Sequence, residues 1–270
     1  MSAPPALRTV LAPRGRPAPP GRLSASLTFG RRAVLKIRHV PDQLVDATLF
    51  PVMFTLTFTY LFGGALAGST AAYLDFVLPG ILAQTVLFIT MYGGATLTTD
   101  LGKGVFDRFR TLPVWRPSPI VGMILGDAVR YTLAAAICLA LGMALGFRPR
   151  GGVGGVVLAV ALVELFAFGV AWIWTALGLL LRTPTAVLAC SSFLLFPLTF
   201  ASNIFVDPRT MPSWLRAFVA VNPVSRLVSA VRGLLHGAAQ PGDVAVALAT
   251  CAVLVAVFGP LTMYLYRRER

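Results

Sequence analysis

The densest set of charged and aromatic side chains falls at positions 100–130, which read DLGKGVFDRFRTLPVWRPSPIVGMILGDAVR. Lys103, Arg108, Arg110, Arg116 and Arg130 are interleaved there with Asp100, Asp107 and Asp127. Phe106, Phe109 and Leu112 recur at i, i+3 and i+6, which makes one apolar stripe of a short helix. Asp107 and Arg110 stand three apart and can pair, and Pro113 stops the helix. The chemistry on offer is docking: an aromatic stripe rimmed by guanidinium and carboxylate groups fits a groove in a partner protein. The same pattern also suits a solvated amphipathic loop resting on lipid.

Elsewhere, residues able to do chemistry are sparse. Glu164 is the only acid well inside an apolar run, and an acid at membrane depth is a functional candidate by default. It can meet a cationic substrate or an arginine, or it can reach water from the outer third of its span. No GxxxxGK(S/T) phosphate loop, HExxH, GxSxG or CxxC motif is present. His39 and His236 are the only two histidines and lie far apart, which leaves no metal cluster. Cys138, Cys190 and Cys251 sit singly in apolar runs, with neither a disulfide framework nor zinc spacing. GxxxG spacing occurs at Gly64–Gly68, Gly122–Gly126 and Gly142–Gly146, a weak signal in a chain with 25 glycines.

The elements that carry these residues follow from composition. The chain has 270 residues, 57% hydrophobic and only 12% charged, against about 25% charged in soluble domains. An all-α integral membrane protein is the expectation. A net charge of +13 then belongs to loops facing anionic lipid, not to nucleic-acid binding. Residues 1–22 are rich in Pro, Ala and Arg and read as a disordered cytoplasmic tail. Residues 23–40 read as a basic amphipathic helix lying in the headgroup region, with Arg31, Arg32, Lys36 and Arg38 on its polar side and Pro41 at its end. Six transmembrane helices are expected at 44–66, 76–98, 128–147, 156–181, 186–206 and 244–266. With the N-terminus inside, 17 basic residues fall on the cytoplasmic side and 6 outside, which places both termini in the cytoplasm.

Between spans five and six the sequence predicts short extracellular interfacial or re-entrant helices. Asn222-Pro223 reads as N-cap and first helical position, and Gly237 as C-cap. Val224, Leu227, Val228, Val231, Leu234 and Leu235 line one face between them, opposite Arg226, Arg232 and His236. Positions 212–221 form a second amphipathic piece with Trp214 placed for the membrane interface.

Several blocks in order resemble the ABC-2 family of ABC-transporter permeases, in its daunorubicin-resistance-type branch. RRAVLKIRHVPDQL (31–44) is similar to the family's basic interfacial helix, and FGGAL (62–66) to the end of its first span. YLDFVLPGILAQTVLF (73–88) resembles the start of the second span, and GVFDRFRTLPVWRPSPIVGMILGD (104–127) the cytoplasmic coupling region. FASNIFVDPRTMPSWLRAFVAVNPVS (200–225) and AVRGLLHG (230–237) resemble the extracellular helices. Two departures stand out: Ser202-Asn203 replaces the family's usual Ser-Gly, and the Pro/Arg tail is longer.

The resemblance implies a permease domain over 23–270 in a bacterial cell membrane, with its coupling region at 100–127. It implies a homodimer working with two separate ABC ATPase subunits. Those subunits would bind ATP and Mg, so this chain needs no cofactor, holds no metal and is not itself an enzyme. Phe106, Asp107, Arg108, Phe109, Arg110 and Leu112 are then the expected ATPase contacts, and Glu164 a possible part of the substrate path. A hydrophobic drug is the expected cargo. A lipid or lipid-linked glycan is the alternative within the family, and a membrane-embedded lipid-modifying enzyme or a scaffold the alternatives outside it.

Overall fold

The computed structural model describes residues 21, 24, 28, 31, 41–103, 118–181 and 183–268. Long apolar stretches without alternation leave the backbone only helix as a way to satisfy its polar groups in lipid. Among the described residues every regular element is helical. The helices are α1 (Pro41–Ala67), α2 (Thr70–Gly102), α3 (Ser118–Ala144), α4 (Gly152–Leu180), α5 (Pro184–Phe200), α6 (Ser213–Val221), α7 (Pro223–His236) and α8 (Pro241–Arg268), with one 3-10 turn at Pro208–Thr210.

Among the described residues four helices are long and apolar enough to cross a membrane, Thr70–Gly102, Val121–Ala144, Gly152–Leu180 and Pro241–Tyr266. The bent pair α6 and α7 adds a fifth if it counts as one span, and Pro51–Ala67 and Pro184–Phe200 are shorter apolar helices. The fifth expected span is corrected at its outer end. It was placed at 186–206, but the helix stops at Phe200. Ser202 Oγ donates to the Thr199 carbonyl, and Asn222 Nδ2 donates to the carbonyls of Leu198 (2.7 Å) and Ala201 (2.9 Å). These side chains take the last carbonyls of α5, which ends a helix as surely as a missing donor does. The third span is corrected at its inner end, since α3 begins at Ser118 and not near Ala128.

α2 is the axis of the molecule. It packs against α1, α3, α4, α5 and α7, while α8 lies against α4 and α7. Its crossing with α4 is the closest kind. A Cβ on Gly94 would run into the Trp174 carbonyl, and one on Gly178 would lie 2.7 Å from the Gly94 carbonyl. Thr98 Oγ1 donates to the Gly178 carbonyl at 2.9 Å, and Trp174 Nε1 to Thr90 Oγ1 at 2.7 Å. Small residues thus bring the backbones together and hydroxyls bond across the seam.

α6 and α7 meet at a 76° bend. Asn222 makes it: its Oδ1 accepts from Val224 N at 2.9 Å, capping α7, while its Nδ2 caps α5. Gly237 closes α7 with φ of 72°, a left-handed conformation that suits glycine. Val224, Leu227, Val228, Val231 and Leu235 are buried, as the sequence pattern requires. They pack α7 against α2, α4 and α8, so it sits within the bundle; among the described residues α6 packs chiefly against α7 and the 3-10 turn.

Candidate functional site

α1, α2 and α5 carry an aromatic ladder. Phe54 stacks on Phe58 and Phe58 on Phe62, with centroids 5.5 and 5.4 Å apart. Phe58 also stacks on Phe205 at 4.2 Å, and Phe205 on Phe200 at 5.3 Å. Phe200 then meets Phe196 at 5.6 Å, and Phe196 meets Phe88 edge-on at 5.1 Å. At the Phe196–Phe88 end the three helices part to leave a crevice of about 370 Å3. Met53, Phe54, Phe88, Ile89 and Phe196 supply its apolar wall, and Thr85, Tyr92 and Ser192 its polar groups. Thr85 is 1% exposed and its Oγ1 has no hydrogen-bond partner. An apolar cleft with a few oriented hydroxyls is the usual composition of a small-molecule site. Tyr60, Leu61 and Phe193, on the helices that flank it, are exposed large apolar side chains.

Arg232 sets the other end of α2. Its Nε and Nη2 donate to the Phe76 carbonyl at 3.1 and 3.0 Å, and Nη2 also donates to the Asn203 carbonyl at 2.9 Å. The guanidinium lies over the Phe76 ring, 4.1 Å from its centroid. One turn on, His236 Nε2 lies 3.1 Å from the Asp75 carbonyl. Pro79 explains that vacancy: it has no N–H to offer the carbonyl four residues before it, which is Asp75. The sequence reading put Arg232 and His236 on a polar, outward face and gave neither a partner.

The coupling candidates Phe106, Asp107, Arg108, Phe109, Arg110 and Leu112 lie outside the described residues, as do Arg32, Lys36 and Arg38. Arg31 is described, helical and exposed. α2 runs 33 residues, about 50 Å, against a hydrocarbon core of ~30 Å. The charged stretch 100–130 is not exposed throughout. Asp127 and Arg130 belong to α3 and are 6% and 4% exposed. They form an ion pair at 2.9 Å, and pairing is what lets two charges be buried together.

Glu164 lies twelve residues past the start of α4, about 18 Å along it and near its middle, not in an outer third. It is half-buried, and Thr132 Oγ1 of α3 donates to its Oε1. Glu164 does not line the aromatic crevice. Trp214 is exposed on α6, together with Phe218 and Val221.

The ABC-2 type transporter family matches residues 26–236. The chain belongs to that family. It is 51% identical over 263 residues to the daunorubicin resistance ABC transporter permease protein DrrB1 of Streptomyces coeruleorubidus, covering 97% of this chain and 93% of that one. It is 23% identical over 226 residues to a probable doxorubicin resistance permease, DrrC, of Mycobacterium tuberculosis, covering 81% and 82%. A putative transport permease, ycf38, of Cyanophora paradoxa is 24% identical over 208 residues, covering 76% of this chain and 71% of its own. In this ABC-2 chain the matched region takes in α1 to α7, and with them both the crevice and the Arg232 cluster.

Proposed function

We propose that this chain is the permease subunit of a bacterial ATP-driven exporter of hydrophobic or amphiphilic drugs. The observation that carries the reading is the aromatic crevice inside the ABC-2 region. Its volume of about 370 Å3 falls in the ~300–1,000 Å3 range of small-molecule sites. The names of the relatives, resistance to daunorubicin and to doxorubicin, point to the same class of cargo.

In this reading six helices span the bacterial membrane. α1 and α5 join the four long ones, since the 17 residues of α5 are at the lower limit of spanning length. Both termini face the cytoplasm, the Arg31 helix and Trp214 rest in the two interfaces, and the exposed aromatics of α1 and α5 meet a second copy of the chain. Two ATPase subunits, which bind ATP and Mg, dock at Phe106, Asp107, Arg108, Phe109, Arg110 and Leu112. α2 passes their movement to the crevice, because one wall of the crevice and the coupling stretch belong to the same and the following segment. The ATPases must bind the inward and outward arrangements differently, or ATP would shift nothing.

The test is drug tolerance in a sensitive host. Tolerance is expected from this chain together with its ATPase and from neither alone. Full tolerance from this chain alone would remove the ABC assignment. Export of a lipid or lipid-linked glycan without any drug effect would replace the cargo.

A further inference from the structure

A second hollow, of about 190 Å3, opens between α6, α7 and the turn after α5. Asn203, Arg216, Ser225, Arg226 and Ser229 line it, together with the apolar Pro208, Val219 and Ala220. Two of these are buried and not fully used. Ser225 is 3% exposed and its Oγ has no hydrogen-bond partner. Asn203 is 6% exposed; its Nδ2 donates to Ser229 Oγ at 2.8 Å, and its Oδ1 has no partner. Buried polar groups without partners are costly, and a built site is one reason to keep them.

The two arginines are held at the wall by their own contacts. Arg216 Nη2 donates to the Met211 carbonyl at 3.1 Å. Arg226 Nε donates to the Ala220 carbonyl at 3.0 Å, and its Nη1 pairs with Asp243 Oδ1 at 3.3 Å. Each guanidinium carries five N–H groups, so donors remain on both. The Ser225 hydroxyl can donate as well. Asn203 joins them by a half-turn of its amide: Ser229 then donates its one proton to Oδ1, and Nδ2 takes the unpartnered place as a free donor. Donors from four side chains, Arg216, Arg226, Ser225 and Asn203, and no carboxylate in the lining make an anion site.

Size and setting narrow the anion. The hollow is smaller than the ~300 Å3 floor for drug pockets and large enough for a phosphate group. α6 beside it shows Trp214, Phe218 and Val221 unburied, the pattern of a helix at headgroup depth. We propose that this pocket binds a phosphate group at the membrane surface, from a phospholipid headgroup or from free phosphate. Asn203, which stands where the family resemblance leads one to expect glycine, supplies the amide that completes it.

The full chain, purified and delipidated in a neutral detergent, is titrated with dioctanoyl phosphatidylglycerol, with sodium phosphate and with dioctanoylglycerol. Binding is followed by native mass spectrometry and by the unfolding midpoint. Phosphatidylglycerol should bind and dioctanoylglycerol should not. Binding of sodium phosphate in competition identifies the free ion; binding of the phospholipid alone identifies the headgroup. Ser225→Ala and Asn203→Gly should each weaken binding about tenfold, as loss of a hydrogen bond to a charged group does. Arg150→Gln, an exposed arginine outside the pocket, should not change it. Ser225→Ala removes a hydroxyl that bonds to nothing in the protein, so a folded variant is expected. Absence of binding by the folded wild type, or equal binding by both pocket variants, overturns the proposal.

Discussion

Arg232 serves two carbonyls and one aromatic ring with a single side chain. Arg232→Met should therefore leave the carbonyls of Phe76 and Asn203 without their donor. A hydrogen bond to a charged group is worth about 1.5–3 kcal/mol, so the unfolding midpoint in detergent should fall by several degrees. Arg232→Lys should recover only part of the loss, because an ammonium cannot present the planar fork. Equal midpoints for Met and Lys would show that the geometry does not matter. Glu164 belongs to the same scale. Glu164→Gln keeps an acceptor for Thr132 and removes the charge. If a cationic cargo passes this acid, its export should drop about tenfold while a neutral cargo is unaffected, since one tenfold step is only ~1.4 kcal/mol of interaction. Unchanged export of both would leave Glu164 as a structural partner of α3.

The helices bear out part of what the sequence offered, for physical reasons. Asn222, Pro223 and Gly237 were legible as caps because capping depends on local backbone groups. The apolar face of α7 was legible because its period is local too. The end of α5 was not, since the donor that stops it lies more than twenty residues downstream. The weak GxxxG signal holds at one pair, where a Cβ on Gly142 would run into Leu78, and fails at another. Gly64 and Gly68 stand in GxxxG spacing, yet a Cβ at either would meet nothing within 4 Å. The contact that matters joins Gly94 on α2 to Gly178 on α4, and no spacing within one helix reveals it. Gly94→Leu should abolish folding or insertion of a competent chain, whereas Gly64→Leu should be tolerated within about 0.5 kcal/mol, as surface changes usually are. Protease resistance of the inserted protein distinguishes them. At the coupling stretch, Phe106→Ala with Phe109→Ala should release a co-purified ATPase while the permease stays inserted. Undiminished co-purification would move the docking site elsewhere.

At the scale of the whole molecule, hydropathy and basic-residue counting lead to a multi-span membrane protein without help from the structure, and the four helices long and apolar enough to cross a membrane were legible as spans. The aromatic crevice was not. Met53, Thr85 and Ser192 come from three separate helices, and an isolated hydrophobic residue carries no mark of the neighbour it will face. ATP dependence is also a whole-molecule property. The fall in export on removing the partner ATPase should be complete, because the chain's sequence contains no phosphate loop of its own.

The grip of α7 on α2 has a consequence in time. The bonds from Arg232 to Phe76 and from His236 to Asp75 bridge 156 and 161 residues. At ~5–20 residues per second, a ribosome needs roughly 8–30 s to travel that far. During that interval the second helix sits in the membrane with its proline-freed carbonyl unserved. A nascent chain released before Pro223 would keep that defect for good, and quality-control proteases would meet a permease whose axis is already in place but never clasped.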